Sequence, residues 1–214
     1  PECPVIQVGS ALPLLPNWTF DELNAKGELT SDELVITDLH SRIMGGILLG
    51  DARINWRFGW HAQGSLEAKA ITLGSMGKVI SGDMEGKANF QMQSESLSNL
   101  TETATLNGTF VIKNGAINGV NIVETARLRS SESLPAGHTH FDELSGDLTY
   151  ANEAYHFREI KLSDGVLNAT GALDIVDQQL SGLILADLAM RAERGMAVLQ
   201  VGGTAGNPTL RAAR

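Results

Sequence analysis

The clearest structural pattern in the chain is the stretch Asp51-Ala52-Arg53-Ile54-Asn55-Trp56-Arg57-Phe58-Gly59-Trp60-His61-Ala62-Gln63. Its even positions are all apolar, and its odd positions carry polar residues or glycine. Because successive side chains of a β-strand point to opposite faces, this alternation predicts a strand with one dry face and one wet face. We expect the stretch to form one long strand, whose dry face carries Ile54, Trp56, Phe58 and Trp60.

A second stretch repeats this pattern further along the chain. From Ala104, the residues Ala104, Leu106, Gly108, Phe110 and Ile112 share one face, and polar residues dominate the other. We expect Leu106, Phe110 and Ile112 to be the partner stripe of the first strand. The dipeptide Asn114-Gly115 then predicts a tight hairpin turn, because such turns need residues that accept a positive φ.

Composition limits the class of protein and its partners. The chain has 214 residues, 23 glycines and 5% aromatic residues, which suits a single domain of many strands joined by tight turns. Its net charge of −9 argues against a nucleic-acid partner, which would require clustered Lys and Arg. The one cysteine, Cys3, excludes an internal disulfide framework. The chain lacks an initiating Met and a signal peptide, so we expect a mature or excised part of a longer protein.

Other segments are assigned from local pattern. Short helices are expected over 96–102, with Ser96 as the cap, and over 120–128, whereas 73–80 fits either a helix or a loop. An entry segment covers 1–17 and a tail covers 209–214. The predicted strands cover 34–39, 46–60, 64–73, 82–93, 104–113, 141–150, 154–162, 166–176, 179–189 and 196–202.

The chain also contains an internal repeat. Phe20-Asp21-Glu22-Leu23 recurs as Phe141-Asp142-Glu143-Leu144, and two further matches follow in the same order. These are Val35-Ile36-Thr37-Asp38-Leu39 with His156-Phe157-Arg158-Glu159-Ile160, and Gly50-Asp51-Ala52-Arg53-Ile54 with Gly171-Ala172-Leu173-Asp174-Ile175. We therefore expect one domain over 18–208 with two related meanders, at about 20–75 and 141–190. The expected fold class is mainly β, an elongated antiparallel sheet curved into a groove or closed as a sandwich, with two or three short helices.

Four motifs, taken in order, resemble the C-terminal region of the AsmA-like proteins of the Gram-negative envelope. They are Gly108-Thr109-Phe110-Val111-Ile112-Lys113-Asn114-Gly115-Ala116-Ile117-Asn118-Gly119-Val120-Asn121-Ile122, Phe141-Asp142-Glu143-Leu144-Ser145-Gly146, Leu162-Ser163-Asp164-Gly165-Val166-Leu167-Asn168-Ala169-Thr170-Gly171, and Val201-Gly202-Gly203-Thr204-Ala205-Gly206-Asn207-Pro208. Asn121 stands where the family more often has Asp.

This resemblance implies a periplasmic protein tethered to the inner membrane by an N-terminal helix that this chain lacks. It also implies a hydrophobic β-groove that guides phospholipid acyl chains between the inner and outer membranes. The expected groove lining is Ile54, Trp56, Phe58, Trp60, Leu106, Phe110 and Ile112. The same alternation also fits an ordinary sandwich core, in which case the domain would dock onto an envelope or secretion component by a sheet edge.

Catalysis, a metal site and a cofactor are not expected. His138 and His140 would share a strand face, but they lack a third ligand at a defined spacing. The pairs Asp21-Glu22 and Asp142-Glu143 are adjacent residues, so on a strand the two carboxylates point in opposite directions. A carbohydrate-binding or hydrolytic sandwich is the third hypothesis. The expected partners are phospholipid acyl chains, and a membrane or envelope protein is a further candidate.

Overall fold

Twelve antiparallel strands form one sheet in the computed structural model, which describes residues 20–75, 79–129, 132, 137–189 and 194–213. The strands follow one another across the sheet in chain order, and the sheet is not closed. They are β1 (Phe20–Leu29), β2 (Glu33–Ile43), β3 (Gly46–Asn55), β4 (Trp60–Thr72), β5 (Ile80–Ser94), β6 (Thr105–Asn118), β7 (His138–Ala151), β8 (Ala154–Asp164), β9 (Leu167–Val176), β10 (Gln179–Ala189), β11 (Arg194–Thr204) and β12 (Asn207–Ala212). The predicted mainly β class is confirmed. The alternative of a closed sandwich is not observed, because all twelve strands belong to this one sheet.

The described chain contains one α-helix, α1 (Ile122–Leu128), and two short 3-10 helices, at Leu73–Ser75 and Leu97–Thr103. Helix α1 lies within the predicted segment 120–128. It begins at the cap residue Asn121, whose side chain accepts a hydrogen bond from the Glu124 backbone N–H. The buried Thr139 hydroxyl of β7 ties down this end, since it accepts from Ile122 N and donates to the Val120 carbonyl. The predicted helix at 96–102 is of the 3-10 type, and the Ser96 side chain makes no capping bond within the described chain.

The chain divides into two compact units. Unit 1 comprises the described residues of 1–72, 84–108 and 149–153, and unit 2 those of 73–83, 109–148 and 154–214. The predicted entry segment 1–17 lies outside the described residues. Strand β12, which the sequence did not predict, covers most of the predicted tail 209–214.

The predicted single strand through 51–63 is wrong, because the chain reverses there in a hairpin. Strand β3 ends at Asn55 and β4 begins at Trp60, and Gly59 in the turn has a φ of 92°. Ile54 pairs with Ala62, so cross-strand partners are both even-numbered or both odd-numbered. Partners share a face, and for this reason the alternation continues through the turn as if the strand had never ended.

The predicted hairpin turn at Asn114-Gly115 is also wrong, because β6 continues through it to Asn118. Asn114 has a left-handed φ of 51° inside the strand. A Cβ on Gly115 would lie 2.2 Å from the Ser81 carbonyl oxygen and 2.3 Å from the Phe141 ring. The glycine is therefore required by close neighbours on either side rather than by a reversal of the chain.

The repeated motifs occupy equivalent strands, β1 to β3 in the first copy and β7 to β9 in the second. The pairing of β2 with β3 shifts register between Ile36 and Leu39. The pairing of β8 with β9 shifts between Phe157 and Ile160, which are the corresponding residues of the second copy. The two copies thus share a β-bulge as well as a sequence pattern.

Candidate functional site

The first four strands present one face that is apolar except for Ser41, and we call it the apolar face of unit 1. Cross-strand partners share a face, so the register of β2, β3 and β4 defines its rows. No residue of these rows is ionisable. The rows are Leu34, Ile54 and Ala62; Ile36, Ala52 and Gly64; Leu39, Gly50 and Leu66; and Ser41, Leu48 and Ala68.

The opposite face of these strands carries exposed ion pairs. Arg53 lies 3.5 Å from Glu33, and Lys87 lies 3.2 Å from Glu67. The pKa of the Glu67 carboxyl lies below its usual value, mainly because Lys87 donates a hydrogen bond to it. This face is therefore the wet one, and the predicted division into a dry face and a wet face holds for these strands.

Burial of the apolar face differs between its two ends. Ile43, which pairs with Gly46 beyond the last of these rows, is fully buried, and Ser41 and Leu48 are buried. Leu34, Ile36, Ile54 and Leu66, in contrast, are only half-buried. Along β2 and β3, protein atoms therefore cover the end near Ile43 and leave part of the apolar surface near Ile54 open, whereas along β4 Ala62 is buried and Ala68 is half-buried.

Two tryptophans lie at the open end of this face. The rings of Trp56 and Trp60 are 5.7 Å apart between centroids and tilted by 35°, and both residues are half-buried. The Trp56 indole N–H donates to the Ser31 carbonyl at 2.8 Å. Phe58 does not join them, because it lies in the turn and is 81% exposed. Its predicted place in the lining depended on the single strand that is not formed.

A glycine on β4 leaves room for an aromatic ring of β5 on the same face. The Phe90 ring lies so close to Gly64 that a Cβ there would be 2.8 Å from it. Two residues away along β5, Ala88 lies against Gly108 of β6. Leu106 lies two residues from Gly108 on the same strand, so it shares this face with the predicted lining residues of β3.

The other two predicted lining residues belong to unit 2. Phe110 packs edge-on against Phe157, with 6.0 Å between ring centroids, and its ring also approaches Gly146. Ile112 is buried. The seven predicted residues therefore divide between the two units: Ile54, Trp56, Phe58, Trp60 and Leu106 lie in unit 1, and Phe110 and Ile112 lie in unit 2.

In unit 2, helix α1 contacts β10, β11 and β12. It buries Ile122, Thr125 and Ala126. The strand residues buried with them are Ala186, Leu188, Leu199, Val201 and Leu210. The opposite face of β10 and β11 exposes Leu183, Leu185, Met196 and Val198. Sequence reasoning did not single out this exposed group, because its residues alternate with buried apolar ones and both faces of β10 carry leucines.

Three charged or polar side chains converge where β8 pairs with β9. The Asp174 carboxylate lies 2.6 Å from His156 Nδ1 and 2.6 Å from Arg158 Nη2. The pKa of Asp174 lies below its usual value. The main cause is the hydrogen bond with His156, and the hydrogen bond with Arg158 lowers the pKa further. Arg158 also donates to the carbonyls of Phe157 and Leu173. The sequence did not indicate this cluster. It links β8, which carries the bulge, to β9.

The histidine pair considered as a metal site is exposed on β7. The His138 and His140 rings are in edge contact, with centroids 4.9 Å apart. Within the part of the chain that the structure describes, no group of three or more His, Cys, Asp or Glu residues could hold a metal ion.

The chain has no match among protein-family models, curated proteins or solved structures. The resemblance to AsmA-like proteins therefore stays a prediction. In the described part of the chain, no helix has both the length and the apolar character needed to cross a bilayer.

Proposed function

We propose that this chain is a non-enzymatic lipid-binding protein that holds phospholipid acyl chains against the apolar face of unit 1. The observation that carries the proposal is that Leu34 and Ile54, which pair in one row of this face, are only half-buried on a sheet that is not closed. An ordinary soluble core buries such side chains fully, because leaving apolar surface in water costs free energy. A row left partly uncovered therefore fits a face that accepts an apolar ligand.

The chemistry of the face favours acyl chains over a polar or flat ligand. Its rows contain no charge, and the only side-chain hydroxyl in them is that of Ser41, which donates to the Glu22 carbonyl. Each buried methylene contributes about 0.8 kcal/mol, so a few acyl carbons per strand bind reversibly and with little selectivity. Those are the properties that a protein needs in order to take up a lipid and release it again.

The cellular setting of this proposal depends on the resemblance to AsmA-like proteins. On that basis we place the chain in the Gram-negative periplasm, tethered to the inner membrane by a segment outside it. Its role there would be to guide phospholipids between the inner and outer membranes and so maintain the outer membrane.

Lipid analysis of the purified chain tests this proposal. The chain is purified without detergent and extracted with organic solvent, and the extract is analysed by lipid mass spectrometry beside a mock purification. We expect phospholipid in near-stoichiometric amount and absent from the mock sample. A lipid-free chain would contradict the proposal.

A second function is favoured by the sheet edges. Strands β1 and β12 end the strand order, so each has one side that pairs with no other strand in the described sheet. Such an edge can accept a strand from another protein through main-chain hydrogen bonds. The chain would then dock onto an envelope or secretion component, and a lipid-free preparation would favour this alternative.

A further inference from the structure

Three strongly exposed apolar side chains lie in or beside three connections of unit 1. Leu29 is the last residue of β1 and pairs with Leu34 of the apolar face, Phe58 lies in the turn between β3 and β4, and Leu97 begins the 3-10 helix between β5 and β6. Their exposed fractions are 73%, 81% and 58%, the three largest among the big apolar residues of the described chain. We call these three residues the apolar tip.

Direct contacts hold the three connections together. Trp56 N donates to the Asp32 carbonyl and Trp56 Nε1 to the Ser31 carbonyl, which joins the second connection to the first. Gly59 lies against the Ser94 carbonyl, where a Cβ would be at 3.3 Å, and β4 contacts the 3-10 helix. The apolar tip therefore lies at one end of unit 1 and is fixed by the fold.

The residues around Phe58 include types that favour a membrane interface. The Arg57 guanidinium lies 5.4 Å from the Phe58 ring centroid and 3.9 Å from Asp32. A long cationic side chain beside an inserted ring can reach back towards the headgroups. Trp56 and Trp60 flank Phe58 along the chain, and tryptophan is enriched at the level where headgroups meet acyl chains.

We propose that the apolar tip inserts into the interfacial layer of a phospholipid bilayer. A protein partner would favour one contiguous apolar patch with a polar rim, whereas Phe58 and Leu97 project singly from two separate connections. Because the chain is acidic overall, insertion rather than attraction to anionic lipid is expected to provide the binding. This inference does not depend on acyl chains binding the apolar face.

Flotation with phosphatidylcholine vesicles tests the inference. We expect the purified chain to rise with the vesicles through a density gradient, with little effect of salt. The triple variant Leu29→Ser/Phe58→Ser/Leu97→Ser should lose binding by about tenfold or more, because each side chain loses its transfer from water to the acyl region. Phe58→Leu alone should retain most of the binding.

The matched control is Leu183→Ser/Met196→Ser, which removes two exposed apolar side chains of similar exposure from unit 2. We expect this variant to float like the parent chain, and circular dichroism should show all variants folded. Failure of the parent chain to float would overturn the inference. So would an equal loss of vesicle binding in the control variant. Binding only to phosphatidylglycerol vesicles that salt abolishes would also overturn it. If the chain carries lipid but does not float, membrane insertion of the apolar tip is refuted and the proposed function stands. If the chain floats but carries no lipid, only the proposed function is refuted.

Discussion

The ring of Phe90 lies over Gly64, and a Cβ on that glycine would stand 2.8 Å from the ring and 2.1 Å from the Asp51 carbonyl oxygen. Two further pairs repeat the arrangement in unit 2, Phe141 over Gly115 and Phe110 over Gly146. In each pair a bulky ring on one strand covers the glycine of its neighbour. The glycines within these strands therefore serve packing rather than turns.

Gly64→Ala should destabilise unit 1 by about 1–3 kcal/mol, because the new methyl group meets backbone that cannot move aside easily. Gly206→Ala is the control, since a Cβ there would meet nothing within 4 Å. Thermal unfolding followed by circular dichroism measures both. Equal melting temperatures for the two variants would show that Phe90 and Asp51 do not pack against Gly64 as described.

Two isoleucines on the apolar face of unit 1 should respond differently to truncation. Ile43 is fully buried and Ile54 is half-buried. We expect Ile43→Ala to cost about 2–5 kcal/mol, as for a cavity in a core, and Ile54→Ala to cost clearly less. Urea denaturation of the lipid-free chain compares the two. A loss at Ile54 as large as at Ile43 would mean that protein covers the whole face.

Asp174 should titrate below its ordinary pKa of 3.8, because His156 and Arg158 stabilise the carboxylate. A group with a lowered pKa in the folded state contributes stability above its unfolded pKa and loses it as the pH falls through the folded pKa. Asp174→Asn should therefore be less stable than the parent at neutral pH, by at most about 1 kcal/mol since the pair is partly exposed. The difference should vanish in acid below the folded pKa.

Carboxyl-resolved NMR titration gives the pKa of Asp174 directly. In His156→Ala or Arg158→Ala, the pKa should rise towards 3.8. A pKa that is unchanged in both variants would contradict the assigned partners.

The sequence predicted most strands, because their apolar and polar residues alternate over long runs. It could not locate the hairpin at Trp56 to Trp60, since Ile54 pairs with Ala62 and the alternation keeps its phase across the turn. Gly59, with a positive φ, was the only local signal of the reversal. At Asn114-Gly115 the same kind of signal was misleading, because the neighbouring Ser81 and Phe141 required the glycine.

For the candidate site, the sequence could predict only which residues share a face of the sheet. The sequence placed Ile54, Trp56 and Trp60 together because strand periodicity alone groups them. It could not divide the lining between two units, because that depends on which distant strands come together. Nor could it show that Phe58 leaves the face for a turn, where its side chain is exposed.

Photo-crosslinking at two neighbouring residues of β2 tests the central proposal most directly. Ile36 belongs to the apolar face, in one row with Ala52 and Gly64, whereas Val35 pairs with Arg53 on the wet face. A photoreactive amino acid is placed at either position, and the chain is irradiated in a Gram-negative host. We predict phospholipid adducts from position 36 and none from position 35. Equal labelling of both positions, or none at 36, would contradict the account.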